Sequence, residues 1–214
     1  MPFRNRDDAA GQLVARLKAY RGRRPLVLGI PRGGVPMARL IADGLGGDVD
    51  VMLVHKLRAP DQPELAVGSI DEAGRVYLAP FAEDVMIDEP ALQAEEQAEL
   101  AALRTRRTRY TAAHPPVDPA GRIVILVDDG LATGSTMIAA IRSARAQRAA
   151  RVVVAAAVAP PETADRLRAQ ADEVVCLETP AAFRAVGQFF VDFSEVTDDD
   201  VVKALQVSAA QGGQ

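Results

Sequence analysis

Residues Ile123–Thr136 read IVILVDDGLATGST. The five apolar residues Ile123–Val127 suit a strand buried on both faces of a sheet. Two adjacent acids, Asp128 and Asp129, stand where that run ends. A glycine-containing turn then closes on Thr133-Gly134-Ser135-Thr136, whose amides, hydroxyls and glycine suit an anion at the start of a helix. Lysine is missing from this loop, so the triphosphate signature GxxxxGK[ST] is absent, and GxGxxG is absent too. What is left has the character of a sugar-phosphate site. The acids can be read in two ways. They are a capping pair that stabilises the loop, or they accept hydrogen bonds from ribose hydroxyls, directly or through Mg2+, and stabilise positive charge developing on the sugar.

Working outward, apolar runs alternate with helical patterns. Asp7 or Asp8 can cap a first helix with apolar positions Ala10, Leu13, Val14 and Leu17, ending near Gly22. Pro25–Ile30 reads as a short buried strand broken by Pro31-Arg32-Gly33-Gly34, and Val35–Ala42 as a helix. A second strand over Val49–Val54 ends at His55-Lys56. Leu57–Pro63 reads as an extended loop, and Leu65–Leu78 as a hairpin about Asp71-Glu72-Ala73-Gly74. A long helix is predicted from Glu89 to about Ala113, closed by His114-Pro115-Pro116. Its acids (Glu95, Glu96, Glu99) precede its arginines (Arg104, Arg106, Arg107, Arg109), which suits the helix dipole, and the arginines read as a solvated face. After the opening stretch come a helix over 135–147, a strand over 151–158, a helix over 161–170 and a strand over 173–177. The pattern predicts an α/β chain with a doubly wound, mostly parallel five-stranded sheet flanked by helices. Residues 1–214 are expected to form one domain, with a core over about 1–179 and a C-terminal segment over about 180–214, its tail Gln211–Gln214 frayed. Ligands of such sheets gather at the carboxyl ends of strands. Three patches fall there: Arg32-Gly33-Gly34, His55-Lys56 and Asp128–Thr136.

Composition narrows the function classes. A formal charge of −4 argues against a dedicated nucleic-acid binder. The single cysteine, Cys176, excludes an internal disulfide, and with only two histidines a Cys/His zinc site is disfavoured. Cys176 lies in the apolar run Val174–Leu177 and reads as a core residue. No signal-peptide pattern opens the chain, and the longest apolar run, Val152–Ala159, is too short to span a membrane, so a cytoplasmic location is expected.

VILVDDGLATGST resembles the phosphoribosyl pyrophosphate-binding motif of type I phosphoribosyltransferases. The resemblance implies that Asp128 and Asp129 are the catalytic pair facing the ribose, and that Ala132, Thr133, Gly134, Ser135 and Thr136 surround the 5′-phosphate. GIPRGGVPMA (Gly29–Ala38) resembles the family's pyrophosphate loop and implies that Arg32 and Gly33 contact the leaving group, with Gly34 shaping the turn. Lys56 matches a position where the family often places a basic residue near the pyrophosphate; by itself it reads equally as a solvated lysine. Residues 58–76 stand where the family keeps a mobile closing loop, with Arg58, Asp61, Glu64, Asp71, Glu72 and Arg75 as candidate contacts. The implied cofactor is Mg2+, carried on the substrate with Asp128 and Asp129 as protein-side ligands. The implied activity is nucleotide-salvage chemistry: ribose 5-phosphate moves from phosphoribosyl pyrophosphate to a small nitrogen acceptor such as a nucleobase. A non-catalytic sensor of the same ligand is the alternative. Dimers are common in the family. Ala132 stands where the 6-oxopurine enzymes carry an acid, which argues against hypoxanthine or guanine as acceptor. The C-terminal segment matches the family's variable hood. Its phenylalanines, Phe183, Phe189, Phe190 and Phe193, read either as a stacking platform for a base or as packing of the tail against the domain. Asp198–Asp200 reads as the acidic start of a last helix.

Overall fold

In the computed structural model, residues 2–59, 62–79, 82, 89–112 and 115–206 are described, with backbone alone at 62–64 and 66. Asp61, the Glu64 side chain, His114 and Gln211–Gln214 lie outside the described residues. Five parallel strands are laid in the order β2 (Asp48–Val51), β1 (Leu26–Gly29), β6 (Ile123–Gly130), β7 (Arg151–Val158), β8 (Glu173–Glu178). The opening stretch is therefore the central strand. Its residues alternate between two apolar layers. Ile125 and Val127 pack with Leu13, Met37 and Ile41 of helices α1 (Arg6–Arg16) and α2 (Gly34–Leu45). Val124 and Leu126 pack with Met137, Ile141 and Leu167 of α4 (Ser135–Ala146) and α5 (Pro161–Arg168). Each buried aliphatic side chain stabilises the fold by roughly 1.5–3 kcal/mol, which is why this strand carries no polar residue before Asp128.

The expected second strand divides. β2 stops at Val51, and Val54–Ala59 is a separate strand, β3, paired antiparallel with β4 (Gln62–Asp71), which pairs with β5 (Val76–Leu78). His55 and Lys56 thus belong to a second, three-stranded sheet and do not end a core strand, and most of the expected loop over 57–63 is strand. The apolar run Val51–Val54 hid the break because it is buried throughout, its residues shared between two separate core clusters, so hydrophobicity carries no mark of where one strand ends. The hairpin turn is held by the buried Asp71. Its carboxylate accepts the amides of Ala73 and Arg75 at 3.0 and 2.9 Å and the Ser143 hydroxyl of α4 at 2.8 Å.

Helix α3 (Glu89–Thr111) is predominantly polar, yet its arginines are not simply a solvated face. Arg107 donates to Glu72 at 2.6 and 2.7 Å, to Asp50 of β2 at 2.9 Å and to the Val51 carbonyl at 3.2 Å. Arg109 pairs with Asp198 and Asp199 at the start of α6 (Asp198–Leu205), and the Tyr110 hydroxyl donates to Asp198 at 2.8 Å. Burial, with the Asp198 carboxylate beside it, pushes the Tyr110 hydroxyl up to about 12. Three of the closing-loop candidates, Asp71, Glu72 and Arg75, are accordingly engaged in seating the hairpin.

Smaller differences also have local causes. Asn5, not Asp7 or Asp8, caps α1, its side chain accepting the Asp8 amide at 2.9 Å, while the two acids occupy the first turn, where the helix dipole favours them. Cys176 is half-buried on the outer strand β8, and burial pushes its thiol up to about 11, away from thiolate chemistry. No described helix is long and apolar enough to cross a membrane.

Candidate active site

β6 extends through Gly130, so Asp128 and Asp129 are its last side chains before the glycine, at the carboxyl edge of the sheet. The Asp129 amide donates to Asp128 Oδ1 at 2.9 Å. Burial, and then the Asp129 charge beside it, hold the Asp128 carboxyl well above the usual carboxylate range. Asp129 Oδ2 accepts from both Nε and Nη2 of Arg6, each at 2.8 Å, in a pair that leaves either side chain only 13% exposed. The same guanidinium lies 4.0 Å above the Phe193 ring and donates to the Ser194 carbonyl at 2.7 Å. Arg6 is a site residue that nothing local in the sequence marks, since its partner lies 123 residues away.

The turn from β1 into α2 passes directly behind these acids, with a cis peptide between Pro31 and Arg32. A Cβ on Gly33 would stand 2.1 Å from Asp129 Oδ2, and one on Gly34 would stand 2.3 Å from the Val127 carbonyl oxygen. At Gly33 the obstructing atom is the end of the Asp129 side chain, which would have to turn away. At Gly34 the obstructing atom is backbone of the central strand, which cannot swing aside. Gly34→Ala is expected to cost about 2–3 kcal/mol of unfolding free energy by urea titration, with α2 pushed off β6. A loss below about 0.5 kcal/mol would contradict that packing. Arg32 itself turns outward and pairs with Glu195 of the C-terminal segment at 2.6 Å.

Beyond Gly130 the chain forms the loop that opens α4. Gly134 adopts a left-handed conformation, φ +69°, and no side chain caps the helix. Apart from a long 3.5 Å approach of the Ser135 amide to the Thr133 hydroxyl, no side chain takes the first-turn amides of α4, which suits them to an anion. The Thr133 and Ser135 hydroxyls stand 3.1 Å apart. α5 braces the loop from outside: the Thr163 hydroxyl donates to the Ala132 carbonyl at 2.8 Å and Arg166 to the Thr133 carbonyl at 3.1 Å. These two supports are also without a sequence signal.

Lys56 reaches this region from the second sheet. It lines a cavity of about 230 Å³ together with Pro31 of the β1–α2 turn and Thr136 of the phosphate-sized loop. The sequence-marked patches thus meet at one edge of the sheet, although Lys56 arrives by a different route from the expected one, and Arg32 faces the tail. Among the described residues no group of three or more His, Cys, Asp or Glu side chains is clustered for a metal. Two adjacent carboxylates without a third fit Mg2+ that arrives already coordinated by phosphates, since this ion is commonly held by one or two carboxylates plus substrate oxygens.

The C-terminal aromatics pack on one another and on the N-terminus. Phe190 lies 5.3 Å from Phe3 and 5.0 Å from Phe193, and Phe183 stacks on Phe189 at 5.5 Å. The Phe3 amide donates to the Phe189 carbonyl at 2.7 Å. Phe3 and Phe190 are buried in this packing, whereas Phe193 keeps an exposed face.

Comparison with known proteins agrees with this geometry. The family model described as a phosphoribosyl transferase domain matches residues 4–194. The chain is 44% identical over 204 residues to proteins from two Mycobacterium tuberculosis strains, each named "Putative phosphoribosyl transferase". The match covers 95% of this chain and 46% of theirs, so the chain spans about half the length of these curated relatives. A crystal structure of a Thermus thermophilus protein is 44% identical, with a TM-score of 0.86, covering 96% of this chain and 98% of that one.

Proposed function

The chain belongs to the phosphoribosyl transferase domain family, and on that premise we propose that it moves ribose 5-phosphate from phosphoribosyl pyrophosphate to a nitrogen of a small acceptor, releasing pyrophosphate. The observation that carries this reading is the convergence, at the carboxyl edge of one sheet, of an acid pair, an uncapped helix start and a cation-lined cavity.

In this reading the first-turn amides of α4 and the hydroxyls of Thr133, Ser135 and Thr136 take the 5′-phosphate. Asp128 and Asp129 accept from the ribose hydroxyls. As the bond from C1 to the pyrophosphate oxygen breaks, positive charge grows on the sugar, and the carboxylate of Asp129 stabilises it most in the transition state. The Arg6 guanidinium limits where that carboxylate can turn, so its orientation is set before substrate arrives. Gly33 lets the pyrophosphate-side turn pass close to Asp129, Lys56 offsets charge on the leaving group, and Arg32 adds to it on exchanging Glu195 for the pyrophosphate. Asp128 and Asp129 would hold the Mg2+ that accompanies the substrate, and the chemistry it would supply is partial neutralisation of the pyrophosphate charge. Ala132 leaves the loop without an acid for a purine N7, which favours acceptors other than 6-oxopurines.

The test is a pyrophosphate-release assay with phosphoribosyl pyrophosphate and Mg2+ against a panel of purines, pyrimidines and other nitrogen acceptors. Release dependent on one acceptor is the expected result and identifies it. Tight binding of phosphoribosyl pyrophosphate with no release across the panel would replace the enzyme with a sensor.

A further inference from the structure

We propose that Arg106 of α3 is a substrate-binding residue that takes the diphosphate of the sugar donor, together with Lys56 and Arg58. This rests on the function proposed above and adds to it a part of the site supplied by α3.

The geometry starts from the rotation of α3 about its axis. Leu103 and Tyr110 are buried at 2% and 0% exposure, and Arg107 is fixed to Asp50 and Glu72. These positions lie on one stripe of the helix, at spacings of three, four and seven residues. Position 106, three residues beyond Leu103, falls at the edge of that stripe, where its side chain lines the cavity and stays open to solvent. Arg104, Thr105 and Thr108 are exposed and do not line it. Arg107 and Arg109 on either side lock the rotation through their ion pairs with β2, the hairpin and α6. Arg106 is thereby held at the mouth of the cavity shared by Lys56, Pro31 and Thr136, and Arg58 enters it from β3, two residues beyond Lys56 on the same side of the strand.

Charge balance then points to the ligand. None of Lys56, Arg58 and Arg106 forms an ion pair with any described residue, although ion pairs are plentiful elsewhere on this helix. Glu99, on the same helix, is turned to His55. Three cations gathered around about 230 Å³ repel one another, and a multiply charged anion relieves that repulsion. The cavity lies between the β1–α2 turn and the first turn of α4, the interval between the two phosphate-bearing ends of the donor. A diphosphate fits this charge and position better than a single carboxylate does, because guanidinium groups bind phosphate oxygens in a fork.

Calorimetry would compare the wild type with Arg106→Gln, Arg106→Lys and, as a control on the outer face, Arg104→Gln. The probes are Mg2+-pyrophosphate, ribose 5-phosphate and phosphoribosyl pyrophosphate. Arg106→Gln is expected to weaken pyrophosphate by roughly tenfold and ribose 5-phosphate by less than about twofold, the size of one lost charge-assisted contact. Arg106→Lys should recover part of the loss and Arg104→Gln should change neither. Pyrophosphate binding equal in Arg106→Gln and Arg104→Gln overturns the assignment while leaving the function standing. Equal weakening of both ligands by Arg106→Gln at an unchanged unfolding midpoint also overturns it. Failure of the wild type to bind phosphoribosyl pyrophosphate is a separate outcome and removes the function itself.

Discussion

Replacing Asp128 and Asp129 together by asparagine is expected to lower turnover by at least about 10³-fold while ribose 5-phosphate still binds, because transition-state electrostatics of this kind is worth roughly 10²–10³ per group and such groups act non-additively. The separation of the two effects follows from the geometry. In the proposed function the 5′-phosphate contacts would come from amides at the start of α4, which has no side-chain cap. Asparagine keeps the volume of each acid and removes the charge that favours a developing cation. It also removes negative charge beside an anion site, so phosphate binding should hold or tighten. Asp129→Asn leaves Arg6 without its ionic partner in a half-closed environment, so a thermal-unfolding scan must accompany the assay. Turnover within about tenfold of wild type would sink the role given to the pair. Loss of ribose 5-phosphate binding would show instead that the acids hold the phosphate loop in shape, the first of the two sequence readings.

The second large effect is on stability. Arg107→Ala is expected to cost about 3–5 kcal/mol of unfolding free energy, measured by urea titration, because removing one partner strands a buried charge. The stranded group is Asp50, 3% exposed, whose carboxylate also accepts the amides of Val51 and Val117 at 2.7 and 3.1 Å. Glu72 would lose its contact with α3 as well, loosening the hairpin. Arg107→Ala combined with Asp50→Asn should recover part of the loss, since no unpaired charge is then left in β2. A single-variant loss under about 1 kcal/mol would mean that water replaces the guanidinium, and that the pair is as weak as an ordinary surface ion pair.

The parallel sheet was readable because its information is local. Each of the three inner strands, β1, β6 and β7, carries a short run of Val, Ile, Leu or Ala between helix patterns, and burial on both faces demands that composition. The strand over 151–158 has the bounds read from the sequence, and the helix after Gly134 ends one residue from its expected end. Where two buried elements adjoin without a polar break, as at Val51 and Val54, the same signal misled. It merged β2 with β3 and put Lys56 on the wrong sheet. The arginines of α3 failed for a related reason. A charged residue on a helix looks the same in sequence whether it meets solvent, a buried aspartate or a cavity.

By itself, then, the sequence determined the layered α/β architecture and the order strand, acid pair, glycine loop, helix, because all of these are written in contiguous residues and in the periodicity of strand and helix. Tertiary structure alone decided which distant charges meet: Arg6 against Asp129, Glu195 on Arg32, and Lys56 and Arg106 around one cavity. Those encounters join residues up to 163 positions apart. They depend on how helices and sheets pack, and no local pattern of side chains encodes that.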